Sequence, residues 1–199
     1  EAWGERTALR HRTEYRGFGW SYRWLHDAAL RMALLLHQLG VHPGERVMLW
    51  APNGPPWIVS FLGCLVCGAV AVPLDLRSRQ PFLRDVARET GAKLLLRTRF
   101  KPDPALAVPT LITEDLATVL ALFGDRRPSL PALAGDDSAE IVYTSGTVAR
   151  PKGVVLTHGN LAAELRSITP VVPPEPEYEF LAVLPFSHIF AQVIDLLLP

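Results

Sequence analysis

The chain has 199 residues, room for one domain or one and a half. Apolar residues make up 49% and charged residues 20%, ordinary values for a folded protein with a real core. Twenty basic and twenty acidic residues cancel, which removes the global field that nucleic acid or an anionic membrane would select.

The opening stretch EAWGERTALR is charged and unlike a secretory signal. Across 24–39 the apolar positions Leu25, Ala28, Ala29, Met32, Leu35, Leu36 and Leu39 recur at steps of three and four, which predicts a helix with one core face. Gly40 is its expected C-cap, and Pro43-Gly44 a turn before the strand RVMLW. The same cues predict a helix over 56–67 and a strand over 69–72. Residues 57–74 carry no charge and reach the lower length limit of a membrane span. Gly63 and Gly68 interrupt that stretch and Pro73 closes the β-branched run AVAV, so a buried helix followed by a core strand is the expectation. Cys64 and Cys67 lie inside it as C-x-x-C. With no further His or Cys nearby they read as small hydrophobes rather than a zinc or redox site. The absence of a disulfide framework agrees with a reducing compartment and a cytoplasmic location.

A helix over 82–90, stopped by Gly91, and the strand KLLLR continue the alternation. The fold class expected is α/β, with helices packed on mixed, largely parallel sheets. The basic run 97–101 reads as a solvated loop. It opens a zone over 98–138, broken by Pro102, Pro104, Pro109, Pro128 and Pro131, that reads as a connection with one short strand at VPTLI. AEIVYTSGT then starts a second strand-rich unit, so subdomains over 1–135 and 136–199 are expected. PVVPPEPEYE, residues 170–179, reads as a loop that cannot pack. The final VIDLLLP is apolar with no evident partner to cover it, as in a piece of a longer chain.

The stretch YTSGTVARPKG, residues 143–153, concentrates glycines, hydroxyls and one lysine, a composition suited to phosphate. It fails the pattern G-x-x-x-x-G-K-[ST] twice: counting from Gly146, Pro151 stands at the second glycine and Gly153 follows Lys152. Strand-like residues flank it on both sides, 141–143 and 154–156, and the next helix starts at about Leu161 with Asn160 as expected N-cap. A loop between two strands cannot use a helix N-terminus for phosphate. It must use its own amides, the hydroxyls of Thr144, Ser145 and Thr147, and Lys152. The bland alternative is a polar hairpin with an incidental lysine.

YTSGTVARPKGVVLTHGNL resembles the signature of the AMP-forming adenylate-forming enzymes, [YF]-T-S-G-T-T-G-x-P-K-G-V. That superfamily contains acyl-CoA synthetases, luciferases and the adenylation domains of peptide synthetases. LHDAALRMALLLHQLGVHPGERVMLWAPN resembles its opening helix, turn and strand, and FLGCLVCGAVAVPLD its A-G-A-V-x-V-P-L-D segment. LPFSHIFAQ resembles the L-P-h-x-H element in the form typical of long-chain fatty acyl-CoA synthetases. The resemblance implies that these residues are the first part of a large N-terminal lobe, with the C-terminal lobe outside them. It also implies conversion of a fatty acid, ATP and CoA to acyl-CoA, AMP and pyrophosphate through an acyl-adenylate. Thr144, Ser145, Gly146, Thr147, Lys152 and Gly153 would hold the phosphates, with Mg2+ accompanying ATP, and His188 would be catalytic. No protein metal ligand is expected. His158, in LTHGN, reads as structural.

Val148 and Ala149 depart from the signature, where a threonine and a glycine stand. The first removes a hydroxyl, and the second adds a Cβ that is costly if φ must be positive. Two other readings stay open: an adenylation domain or acyl-AMP ligase loading a carrier protein, and a non-catalytic binding module built on the same fold. The expected partner is a carboxylic acid substrate, with no nucleic acid and no transmembrane span; peripheral membrane contact and a homodimer are compatible. The 199 residues alone are expected to be inactive.

Overall fold

The computed structural model describes residues 3–12, 16–144, 152–175 and 177–198. It begins with an antiparallel hairpin, β1 (Thr7–Arg12) and β2 (Gly17–Ser21), which the sequence reading did not foresee. The Ser21 hydroxyl then accepts from the Trp24 N–H and caps α1 (Tyr22–Gln38). That cap starts the helix two residues before the apolar periodicity does. The expected face is buried, including Met32 and Leu36 at 0% exposure.

The centre is a six-stranded sheet. It comprises β3 (Arg46–Trp50), β4 (Val70–Pro73), β5 (Leu94–Arg97), β6 (Thr110–Ile112), β7 (Ser138–Thr144) and β8 (Lys152–Thr157). Their order is β6-β5-β3-β4-β7-β8, parallel throughout except for β7 against β8. Between the strands run α2 (Pro55–Cys67), α3 (Gln80–Thr90) and α4 (Leu116–Ala121); α5 (His158–Ile168) follows β8. Near the end come α6 (Ile189–Gln192) and a π-helical turn, Val193–Leu197.

Side chains of the central strands alternate between two cores. Val47, Leu49, Ala71, Leu94 and Leu96 pack with α1, α2 and α4. Met48, Trp50, Val72 and Leu95 pack with α3. Burial on both faces explains why these strands read as continuous apolar runs. The uncharged stretch 57–74 is α2 plus β4, inside this core. Among the described residues no helix is long and apolar enough to cross a membrane. Cys64 is buried, Cys67 half-buried, and neither forms a disulfide.

Two glycines explain how α2 fits. Gly68 ends it at φ 74°, and a Cβ there would come within 2.8 Å of Leu133 Cδ2. Gly63 lies against α1: a Cβ there would fall 2.4 Å from Met32 Cγ and 2.6 Å from Met32 Cβ.

Three expectations need correction. The zone 98–138 is not only a connection, because Leu116, Leu120 and Phe123 are buried in the α1/α2 core through α4 and the turn after it. The helix after β8 starts at His158, not at about Leu161. Its N-cap is Thr157, while Asn160 completes a capping box from the third helical position. The apolar tail is covered: Val193 and Leu198 are buried, and Leu196 and Leu197 pack on the main core. The loop over 170–179 is exposed where described.

Candidate active site

Ligands of open α/β sheets gather at the carboxyl ends of the parallel strands. At that edge β4 runs into Asp75, and β7 delivers Tyr143 and Thr144. The antiparallel partner β8 begins beside them, with Lys152 opposite Thr144 and Gly153 opposite Tyr143. The stretch 143–153 therefore does join two adjacent strands, as its flanks predict. Ser145, Gly146 and Thr147, with Val148 and Ala149, lie outside the described residues, as does the side chain of Thr144. Lys152 is exposed at the start of β8.

Gly153 has a packing requirement of its own. A Cβ there would sit 2.9 Å from Ile141 Cγ2 and 3.2 Å from Tyr143 Cζ. The Tyr143 ring meets Phe82 of α3 edge-on, with centroids 5.5 Å apart.

A cavity of 780 Å3 opens between the ends of β4 and β7, α3 and the turn before α6. Apolar surface comes from Leu74, Phe82, Val142, Ile189 and Phe190, and polar groups from Asp75, Ser78, Arg79, Tyr143, Ser187 and His188. His188 forms part of the wall, not the core, at the N-cap position of α6, and its side chain is 53% exposed.

Asp75 is the residue that sequence reasoning missed. Its Oδ2 lies 3.9 Å from His188 Nε2. Its carboxylate also accepts from the Arg77 N–H (2.7 Å), Nε (3.1 Å) and Nη2 (2.8 Å). The hydrogen bonds from the Arg77 side chain hold the Asp75 carboxyl below its ordinary value, and His188 adds to the effect. Its sequence signals were its place, the first polar residue after the buried strand VAVP, and its position as the closing residue of FLGCLVCGAVAVPLD, neither of which gave it a role.

Asn53, after β3, clamps the turn that carries His188. Its Nδ2 donates to the Leu184 carbonyl (2.8 Å) and its Oδ1 accepts from the Phe186 N–H (2.9 Å). From the other side Gln192 Nε2 donates to the Phe186 carbonyl at 2.8 Å. His158 is the first residue of α5 and its N–H donates to the Asp137 carbonyl at 3.0 Å, away from the cavity lining.

A second cavity, 510 Å3 and mostly apolar, lies between the β1–β2 hairpin, α1, α2 and α4. None of the described residues expected to be functional lines it. Among the described residues no group of His, Cys, Asp and Glu side chains is arranged to hold a metal ion.

Comparison with known proteins places this geometry in a family. The model of the AMP-binding enzymes matches residues 1–199. A feruloyl-CoA synthase of Amycolatopsis sp is 38% identical over 159 residues, covering 78% of this chain and 31% of the relative. A long-chain-fatty-acid–CoA ligase of Mycobacterium tuberculosis is 31% identical over 182 residues, covering 86% of this chain and 36% of the ligase. The chain thus spans about a third of the length of these relatives. Among solved structures, o-succinylbenzoate coenzyme A synthetase from Bacillus subtilis in complex with AMP shares the fold with a TM-score of 0.82 at 24% identity. It is matched over 96% of this chain and 50% of the synthetase. The N-terminal domain of FACL13 from Mycobacterium tuberculosis gives 0.74 at 28% identity, over 88% of this chain and 47% of that one. Matched along its whole length by the family model, the chain belongs to the AMP-binding enzymes, and its curated relatives are acyl-CoA ligases.

Proposed function

We propose that this chain works within a longer AMP-forming acyl-CoA ligase whose substrate is a medium- or long-chain fatty acid. The observation that carries the reading is one cavity bounded by the end of β7, which leads into YTSGTVARPKG, and by the turn that carries His188. A substrate carboxylate oxygen attacks the α-phosphorus of ATP, forming the acyl-adenylate and releasing pyrophosphate. The thiol of CoA then attacks the acyl carbonyl, loses its proton, and AMP leaves. Both partners of the first step are anionic, so positioning and charge neutralisation dominate the catalytic task.

In this reading the backbone and hydroxyls of Thr144, Ser145, Gly146 and Thr147, with Lys152, receive the β- and γ-phosphates. Gly153 keeps β8 close against the Tyr143 ring, so that Lys152 follows directly at the loop's end. His188 faces the reacting carboxylate, oriented by Asp75. Mg2+ belongs with the ATP phosphates and neutralises their charge; no described side chains are assigned to it. Leu74, Ile189 and Phe190 offer apolar wall to an acyl chain.

A specific observation favours a second substrate class. The relative at 38% identity is a feruloyl-CoA synthase, and the Phe82–Tyr143 ring pair gives the cavity an aromatic wall. ATP–pyrophosphate exchange by the complete protein decides between them. Exchange dependent on medium or long fatty acids is expected. Exchange driven by a hydroxycinnamate and indifferent to fatty acids transfers the assignment to aryl acids. A response to amino acids alone overturns the acyl-CoA reading.

A further inference from the structure

The turn that carries His188 has little regular structure to hold it. From 179 to 188 no residue belongs to a helix or strand. Within that stretch one backbone hydrogen bond closes, from the His188 N–H to the Pro185 carbonyl at 3.0 Å. Gln192 holds the Phe186 carbonyl from a few residues further along the same segment. Among the described residues, the hydrogen bonds that tie the backbone of 184–188 to the sheet layer come from Asn53 alone.

One carboxamide does here what a neighbouring strand would do. The Leu184 carbonyl and the Phe186 N–H lie on either side of Pro185, which has no N–H of its own. Asn53 meets both, Nδ2 donating at 2.8 Å and Oδ1 accepting at 2.9 Å, and the two partners fix which way the amide points. A donor and an acceptor side by side on one short planar group is what asparagine offers. Aspartate only accepts, and leucine, of similar shape, does neither.

The residues after Asn53 make a stiff mount. Gly54 takes φ 152° and ψ 174°, a conformation open in practice to glycine alone, and Pro55 and Pro56 open α2. Trp57, buried at 2% exposure, sets its ring 5.2 Å from that of Phe186, with Phe61 stacked behind it at 5.2 Å. The stretch NGPPW thus grips the turn twice, by its backbone through Asn53 and by the Phe186 ring through Trp57. His188 follows Phe186 by two residues. Its Nε2 stands 3.9 Å from Asp75 Oδ2, too far for a directional hydrogen bond, so Asp75 biases the imidazole without fixing its place. The place is set by the turn. Resting on the function proposed above, we propose that Asn53 is a positioning residue for adenylation, its carboxamide fixing the turn on which His188 meets the substrate carboxylate.

The test compares Asn53→Leu and Asn53→Asp with wild type in the complete protein, by ATP–pyrophosphate exchange. Leucine loses both hydrogen bonds, whereas aspartate keeps an acceptor for the Phe186 N–H and turns another against the Leu184 carbonyl. Both should lower kcat by about 10- to 100-fold, with KM for ATP within about twofold, because a displaced His188 disturbs transition-state geometry and not nucleotide binding. In a His188→Ala background the Asn53→Leu loss should shrink to about twofold or less, since Asn53 acts through the imidazole. Full-sized losses in both backgrounds, a loss confined to KM, or wild-type rates in the single variants overturn the assignment. The imidazole signal of His188, identified in NMR spectra by its disappearance in His188→Ala, reads the placement without catalysis. It should move in Asn53→Leu, and an unchanged signal refutes the proposal. A wild-type protein that exchanges with no carboxylic acid removes the functional reading, and the imidazole signal then decides alone whether Asn53 places His188.

Discussion

Glu140→Gln should stabilise the protein increasingly as pH rises. Burial moves the Glu140 carboxyl from an ordinary 4.5 to about 7 in the folded chain. Below about pH 4.5 both folded and unfolded states hold the proton, and the shift contributes nothing. Between 4.5 and 7 the unfolded chain ionises while the folded chain keeps its proton, so the folded state binds more protons and loses stability with rising pH. At ~1.4 kcal/mol per pH unit the loss levels off at about 3 kcal/mol above pH 7. Glutamine has the same shape and cannot ionise. Urea unfolding of both proteins, followed through the buried Trp50 and Trp57, should show the advantage of the variant widening by about 2–3 kcal/mol from near pH 5 to near pH 8. A difference that stays constant across this range would refute the argument that Glu140 is protonated because it is buried.

Two further substitutions test packing and catalysis separately. Gly63→Ala gains about 1 kcal/mol of helix propensity but drives a Cβ into the base of Met32, an overpacking cost of about 1–3 kcal/mol, so a net loss is expected in unfolding experiments. A Met32→Ala background removes the Cγ contact but keeps the 2.6 Å approach to Cβ, so only part of the loss should be relieved there. A stabilised single variant would show that α1 and α2 are less closely packed. Lys152→Ala should slow adenylation by about 2–4 kcal/mol of activation free energy, as removal of other transition-state donors does. Single-turnover transfer to CoA from preformed acyl-adenylate should be spared, and equal losses in both steps would deny Lys152 a role specific to phosphate.

The central α/β layer was legible because its signals are strong and local. Helical steps of three and four run through α1, and RVMLW, AVAV and KLLLR are apolar on both faces because helices cover both sides of the sheet. The β1–β2 hairpin was not legible: TALRHR and GFGWS are short, largely exposed strands without a repeating apolar face. The short helix α4 was hidden by the prolines around it, although Leu116 and Leu120 keep helical spacing. Glu140 shows a different limit. In a sheet with one wet face, Ala139-Glu140-Ile141 reads as alternation with the acid toward water. Here Ala71 of β4 and Leu156 of β8 flank it and its side chain is fully buried, so no face is wet.

The site was legible only where its residues are adjacent in sequence. The glycines, hydroxyls and lysine of YTSGTVARPKG announce themselves together, whereas Asp75, Asn53 and Gln192, each at the end of a family-like stretch, carry no chemical signal of their own. What they share is the turn that carries His188. Asp75 faces the imidazole, Asn53 holds the Leu184 carbonyl and Phe186 N–H, and Gln192 holds the Phe186 carbonyl. A half-exposed side chain at the N-cap of a four-residue helix has little packing to orient it, so polar contacts from the residues after β3 and β4 and from the end of α6 must supply the orientation. The candidate phosphate-binding residues therefore stand side by side in one stretch, while the side chains that hold the His188 turn come from three separate stretches brought together by the fold.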